Sequence, residues 1–234
     1  MNACEQMRKV KFSSDQLQKW LEEQAERLIR FGYHEALFER KENFLIRIRE
    51  FAVRQIPPFI EIGEHQLPVL LVIPDHVLRF ESQLELLGIR SNHHRPIQRI
   101  EEIITPIHQP YLIFGAEYSG LGDISSERAV EYQKSNRWQV LTFDQGLAMI
   151  AQCEELQQHC TSLIFAGSYW FDRQVKLVAE YSCLEGERRI MGRAVQASHP
   201  CSHFGLCERE PIVSSSTGSG EGSVTEASGR HKTL

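Results

Sequence analysis

Hydrophobic positions along this chain recur with two different periods. In the first quarter the period is helical. Leu17, Trp20, Leu21, Ala25 and Leu28 fall on one face of a 3.6-residue repeat. Ser13 and Gln16 have capping-box spacing, in which each side chain satisfies the other's free backbone N–H. Gly32 suits the position just past the helix end, where a positive φ is needed. A second amphipathic helix is predicted from Lys41 to Arg54. Its inward stripe is Phe44, Leu45, Ile48 and Phe51, and Pro57-Pro58 stops it.

The pattern then changes. Leu67 to Ile73 is a short, continuous apolar run, the mark of a strand covered on both faces. Pro74-Asp75 is predicted to open a helix with Val77, Phe80, Leu84 and Leu87 inward, closed by Gly88. Tyr111 to Ala116 reads as a second core strand, followed by a Gly-rich turn and a helix from Ser125 to Lys134. Thr142 is placed to cap a helix that buries Phe143, Leu147, Ile150 and Ala151. Three strand-like runs follow, Ser162 to Ala166, Val175 to Tyr181 and Arg188 to Val195. Helices early and strands late predict an α+β fold, with N-terminal helices packed on one mixed central β-sheet. The expected organisation is a flexible N-terminus over 1–12, a single domain over 13–210 and a disordered Ser/Gly-rich tail over 211–234.

Composition narrows the function classes. An apolar fraction of 41% with 24% charged residues is that of a globular protein with a core of its own. The formal net charge of −5 argues against a nucleic-acid partner. No apolar stretch is long enough to span a bilayer, so no membrane partner is expected. Met1 to Lys11 has charges but no apolar core of the signal-peptide kind. A cytoplasmic location is therefore expected, with the six cysteines as reduced thiols.

The densest candidate chemistry lies near the end. His199, Cys201, His203 and Cys207 are four ligand types within nine residues. Zinc takes four such donors in a tetrahedron, so a structural zinc site is one reading. The spacing H-x-C-x-H-x3-C lacks the usual paired ligands, and an ordinary loop with inert thiols is the other. Cys153 and Cys160, with His159 alongside, read as core thiols. Gly115-x4-Gly120-x-Gly122-Asp123 stands where phosphate loops sit, but matches neither phosphate-binding spacing. Among carboxylates, Asp144 fits the first turn of a helix, where it complements the macrodipole. Glu117 falls at the end of a predicted strand, where open sheets place ligands. Gly167-Ser168-Tyr169-Trp170-Phe171 follows a strand and either floors a pocket or joins the core. No nucleophile–base motif is present.

Several phrases, taken in order, resemble a bacterial family of uncharacterised proteins, a domain of unknown function. They are Phe31-Gly32-Tyr33, Leu67 to Pro74, Pro110 to Ile113, Thr142 to Ala148, Gly167-Ser168 and the segment His199 to Arg209. Two positions depart from the family pattern. Tyr169 stands where an Arg is expected after Gly-Ser, and Leu206 where a Ser is expected before the Cys. The resemblance implies an intracellular α+β domain without a defined activity. It implies His203, Gly205, Cys207 and Arg209 as a functional surface.

A well-patterned fold without a catalytic motif points to a binding or regulatory module. The alternatives are a small-molecule or hydrolytic enzyme with its site near Glu117, Asp144 and the His203/Cys207 segment, and a domain built around zinc at His199 to Cys207.

Overall fold

A computed structural model describes residues 8–91, 101–102, 109–120, 125–135, 138–159, 162–197 and 203–208. The chain opens with a strand, β1 (Lys9–Ser13), where the sequence predicts a flexible arm. The cause is a short period-two alternation. Val10 and Phe12 are half-buried between exposed Lys9 and Lys11, and Lys11 Nζ sits 3.8 Å over the Phe59 ring. Its antiparallel partner is β2 (Phe59–Gly63), which the sequence reading missed; Phe12 lies opposite Ile60 and Val10 opposite Ile62. The predicted tail over 211–234 lies outside the described residues.

Helix α1 (Ser14–Arg30) starts at the expected capping box, with the Ser13 N–H donating to Gln16 Oε1 at 2.8 Å and the Gln16 N–H to Ser13 Oγ at 3.4 Å. Leu17, Leu21, Ala25 and Leu28 are buried, but Trp20 is 38% exposed. It falls at the edge of a stripe whose centre is taken by Gln24. The chain continues through α2 (Tyr33–Ala36) to α3 (Lys41–Gln55), which buries Phe44, Ile48 and Ala52. Leu45 and Phe51 are only partly covered. Strand β3 (Leu67–Val72) is buried as expected. The next helix, α4 (Phe80–Leu86), begins later than predicted. Asp75 Oδ1 accepts the Phe80 N–H at 2.8 Å, so the acidic side chain caps the helix from five residues upstream.

Two short strands follow, β4 (Arg90–Ser91) and β5 (Glu101–Glu102), and then the long β6 (Tyr111–Gly120). The remaining elements are α5 (Ser126–Ser135), β7 (Trp138–Val140), α6 (Phe143–Gln152), α7 (Glu154–His159), β8 (Leu163–Asp172), β9 (Val175–Leu184), β10 (Glu187–Ala194) and β11 (His203–Glu208). A nine-stranded mixed sheet joins them in the order β3-β6-β11-β8-β9-β10-β4, with β5 beside β8 and β7 beside β11. Strand β11 runs parallel to β8 and antiparallel to β6 and β7.

Alternation along β8 and β9 separates two cores. Leu163, Phe165, Ala179 and Tyr181 face the helices α6 and α7 and join the large cluster; we call this the inner face. Ile164, Ala166 and Val178 face the other way, toward Ala129 of α5, together with Phe204 and Leu206; this is the outer face. The free edge of β3 is closed by a side chain. Gln24 Nε2 donates to the Val69 carbonyl at 2.6 Å, and the Leu71 N–H donates to Gln24 Oε1 at 2.9 Å. A buried glutamine amide thus stands in for the next strand.

The α6 start is locked to the sheet. Thr142 and Gln145 form a second capping box. Phe143 N–H donates to Ser168 Oγ at 2.8 Å, and Gly167 N–H to the Leu141 carbonyl at 2.9 Å. A Cβ on Gly146 would lie 2.4 Å from the Phe165 ring, and one on Gly167 2.8 Å from the Leu141 backbone. The phrases Thr142 to Ala148 and Gly167-Ser168 therefore have a packing explanation: backbone and ring approach too closely for any side chain.

Candidate functional site

Among the described residues one helix covers the outer face, and it leaves a space beside it. Helix α5 begins at Ser125, whose Oγ accepts the Arg128 N–H at 3.4 Å. Its first turn is tied to the sheet where Glu127 N–H donates to the Val195 carbonyl at 3.4 Å. Ala129 then packs into the outer core, Val130 is half-buried, and Glu127 and Glu131 lie one turn apart on the exposed flank.

Between this helix and the strands β8 and β9 lies a cavity of about 410 Å³. Its apolar lining comes from Val130, Ala166, Val178 and Val195. Its polar lining is Ser126, Glu127 and Glu131 from the helix and Tyr169 and Lys176 from the sheet. Period two explains the sheet residues. Lys176 and Val178 share the outer face, while Leu177 and Ala179 pack against the inner core. Lys176 Nζ lies 3.6 Å from the Tyr169 ring centroid, a cation–π contact that fixes the ammonium over the ring. Tyr169 in turn meets the exposed Phe171 edge to face, with centroids 5.9 Å apart.

Ser126 is the residue that sets this cavity apart. It is 1% exposed, lines the cavity, and its hydroxyl makes no hydrogen bond among the described residues. A buried hydroxyl without a partner costs about 1–3 kcal/mol. Among the described residues no base lies within hydrogen-bond reach of it. The arrangement is suited to holding a ligand.

The residues singled out from sequence do not meet in this cavity. Glu117 lies inside β6 rather than at its end, because the strand runs on to Gly120. Gln66 Nε2 donates to Glu117 Oε2 at 3.2 Å, and Gln66 Oε1 accepts the Gly63 N–H, so Glu117 braces the β2–β3 turn. Asp144 is in the first turn of α6, buried, and accepts the Asp75 N–H at 3.4 Å. Cys207 is 2% exposed and belongs to the inner core. Its neighbour Leu206 lies opposite Glu117 in the ladder. Cross-strand partners point to one face and the next residue to the other, so Glu117 and Cys207 are on opposite sides of the sheet.

The zinc set is also pulled apart. His203 and Cys207 belong to one extended strand, paired with Leu163 and Gln139 respectively. Four residues of strand separate their Cα atoms by about 13 Å, too far for one tetrahedral ion to hold both. His199, Cys201 and Arg209 lie outside the described residues, as do Cys160, Gly122 and Asp123. Among the described residues no group of three or more His, Cys, Asp or Glu could hold a metal ion. Cys153 is a core thiol, and burial pushes its pKa up to about 12, with Glu155 adding to the rise against Arg27. Burial, with the Asp144 carboxylate adding, likewise raises the Tyr33 phenol.

Sequence reasoning missed Ser126, Glu127, Glu131 and Lys176. It did reach the run Gly167 to Phe171, which lies inside β8, but left two roles open, and alternation assigns both: Trp170 joins the inner core and Tyr169 lines the cavity. Among the described residues no helix is long and apolar enough to cross a membrane. No protein-family model matches the chain, and no curated protein or solved structure matches it either.

Proposed function

We propose that this chain is a small-molecule-binding module whose site is the cavity between α5 and the outer face of β8 and β9. The observation that carries this reading is the cavity between α5 and the sheet, on which Glu127, Glu131, Tyr169 and Lys176 converge over an apolar floor. The volume of about 410 Å³ falls within the range of small-ligand sites, roughly 300–1,000 Å³. Its lining mixes four apolar residues with five polar or charged ones that converge on the same space, enough to orient a small polar ligand. A cytoplasmic setting belongs to the same reading, supported by the buried thiols of Cys153 and Cys183.

The test is a fragment library read by ligand-observed NMR, with wild-type protein and with Val130→Trp. Val130 is half-buried on α5, so a larger ring there fills the cavity from the helix side while sparing the inner core. The expected result is a set of fragments that bind wild type and are lost in a Val130→Trp protein with unchanged circular dichroism. Fragments that bind both proteins equally would overturn the site. A library without binders would overturn the binding role.

A further inference from the structure

Resting on the cavity as the binding site, we infer that its ligand is a zwitterion of the amino-acid class, free or as a dipeptide, with a short apolar side chain. The two walls carry opposite charge. Helix α5 presents the carboxylates of Glu127 and Glu131, and the sheet presents the ammonium of Lys176. A ligand that is only an anion would meet Lys176 but be repelled from the helix. A ligand that is only a cation would meet the carboxylates but be repelled from the sheet, where Lys176 already occupies the Tyr169 face. A molecule with both charges a few bonds apart answers both walls. Glu127 Oε1 accepts from Gln196 Nε2 at 3.2 Å, which steadies that carboxylate at the rim. Ala166, Val178 and Val195 supply an apolar floor suited to a short aliphatic group.

The experiment is a thermal-shift screen of the full chain against the twenty L-amino acids and a set of aliphatic dipeptides, followed by calorimetry on the strongest. The amide of that ligand keeps only the ammonium, its N-acetyl form only the carboxylate. Each should bind more weakly than the zwitterion, by up to about fivefold, the value of one solvent-accessible ion pair. Lys176→Met should weaken the zwitterion but not its amide. Glu131→Gln should weaken the zwitterion but not its N-acetyl form. A variant that merely disturbed the fold would weaken every ligand alike, and that outcome would overturn the inference. So would one-charge ligands that bind as tightly as the zwitterion. If fragments bind and Val130→Trp removes them while no zwitterion binds, the ligand class is wrong and the cavity stands. If nothing binds, both fall.

Discussion

The two faces of the sheet use buried polar groups in opposite ways. On the inner face, several helices cover the strands and the polar side chains bond to backbone. Gln24 closes the β3 edge, Gln83 Nε2 donates to the carbonyls of Ile73 and Leu78, and Tyr181 donates to Leu156. On the outer face, α5 covers only part of the strands, and a cavity with an unpaired hydroxyl remains. Farther along that face Glu180, 3% exposed, is held by Ser162 and by the half-exposed Arg193. A sealed face is built for stability. A partly covered face leaves room and unspent hydrogen-bonding capacity, which is what a ligand needs.

The sharpest way to break the inner face is Gly167→Ala. Its Cβ would stand 2.8 Å from Leu141 backbone atoms, which cannot swing away as a side chain can. A loss of about 3 kcal/mol is expected in urea unfolding. Gln24→Ala comes next, since it strands the Val69 carbonyl and the Leu71 N–H in a dry edge. About 2–3 kcal/mol should be lost, measured in the same way.

Alkali should act through the inner face too. The Cys153 thiol is raised from 9.0 to about 12 on folding. A group raised on folding contributes stability that is full below its unfolded pKa and lost as pH climbs toward the folded one. The denaturation midpoint should therefore fall from about pH 9 toward pH 12, and Cys153→Ala should flatten that slope. An equal slope in the variant would show that the raised Tyr33 carries the effect.

The smallest effects give the most direct comparison, because the same substitution is made at two equally buried serines. Ser168 and Ser126 are each 1% exposed. Ser168 Oγ accepts the Phe143 N–H, so Ser168→Ala should cost about 1–2 kcal/mol. Ser126 Oγ has no such partner, so Ser126→Ala should lose nothing and should raise stability by about 1 kcal/mol, as the cost of an unpaired buried hydroxyl is removed. A loss at Ser126 matching that at Ser168 would mean its hydroxyl is engaged by the protein itself.

Much of the fold was legible because its signals are local. The capping boxes at Ser13 and Thr142 act within four residues and form as spaced. The apolar run at Leu67 became β3, and the late strands appeared in order. Errors arose where a distant partner decides. Strand β8 runs past Ala166 to Asp172 because β9 pairs with it there. Strand β11 is short and irregular in its pairing with β6 and looked like loop until β6, β7 and β8 were seen to pair with it. The expected site came apart for the same reason, since ladder pairing sets which face Glu117 and Cys207 occupy.

The residues alone thus established the class, the starts of α1 and α6 and the strands β3, β6, β8, β9 and β10, through periodicities and caps that need no distant contact. They could not establish which helix lies over which strands. Ser126 and Lys176 are far apart in sequence, and each lines the cavity only because α5 packs on β7 and β8, beside β9. That placement is a long-range packing choice, set by which apolar faces remain to be covered once the sheet has formed.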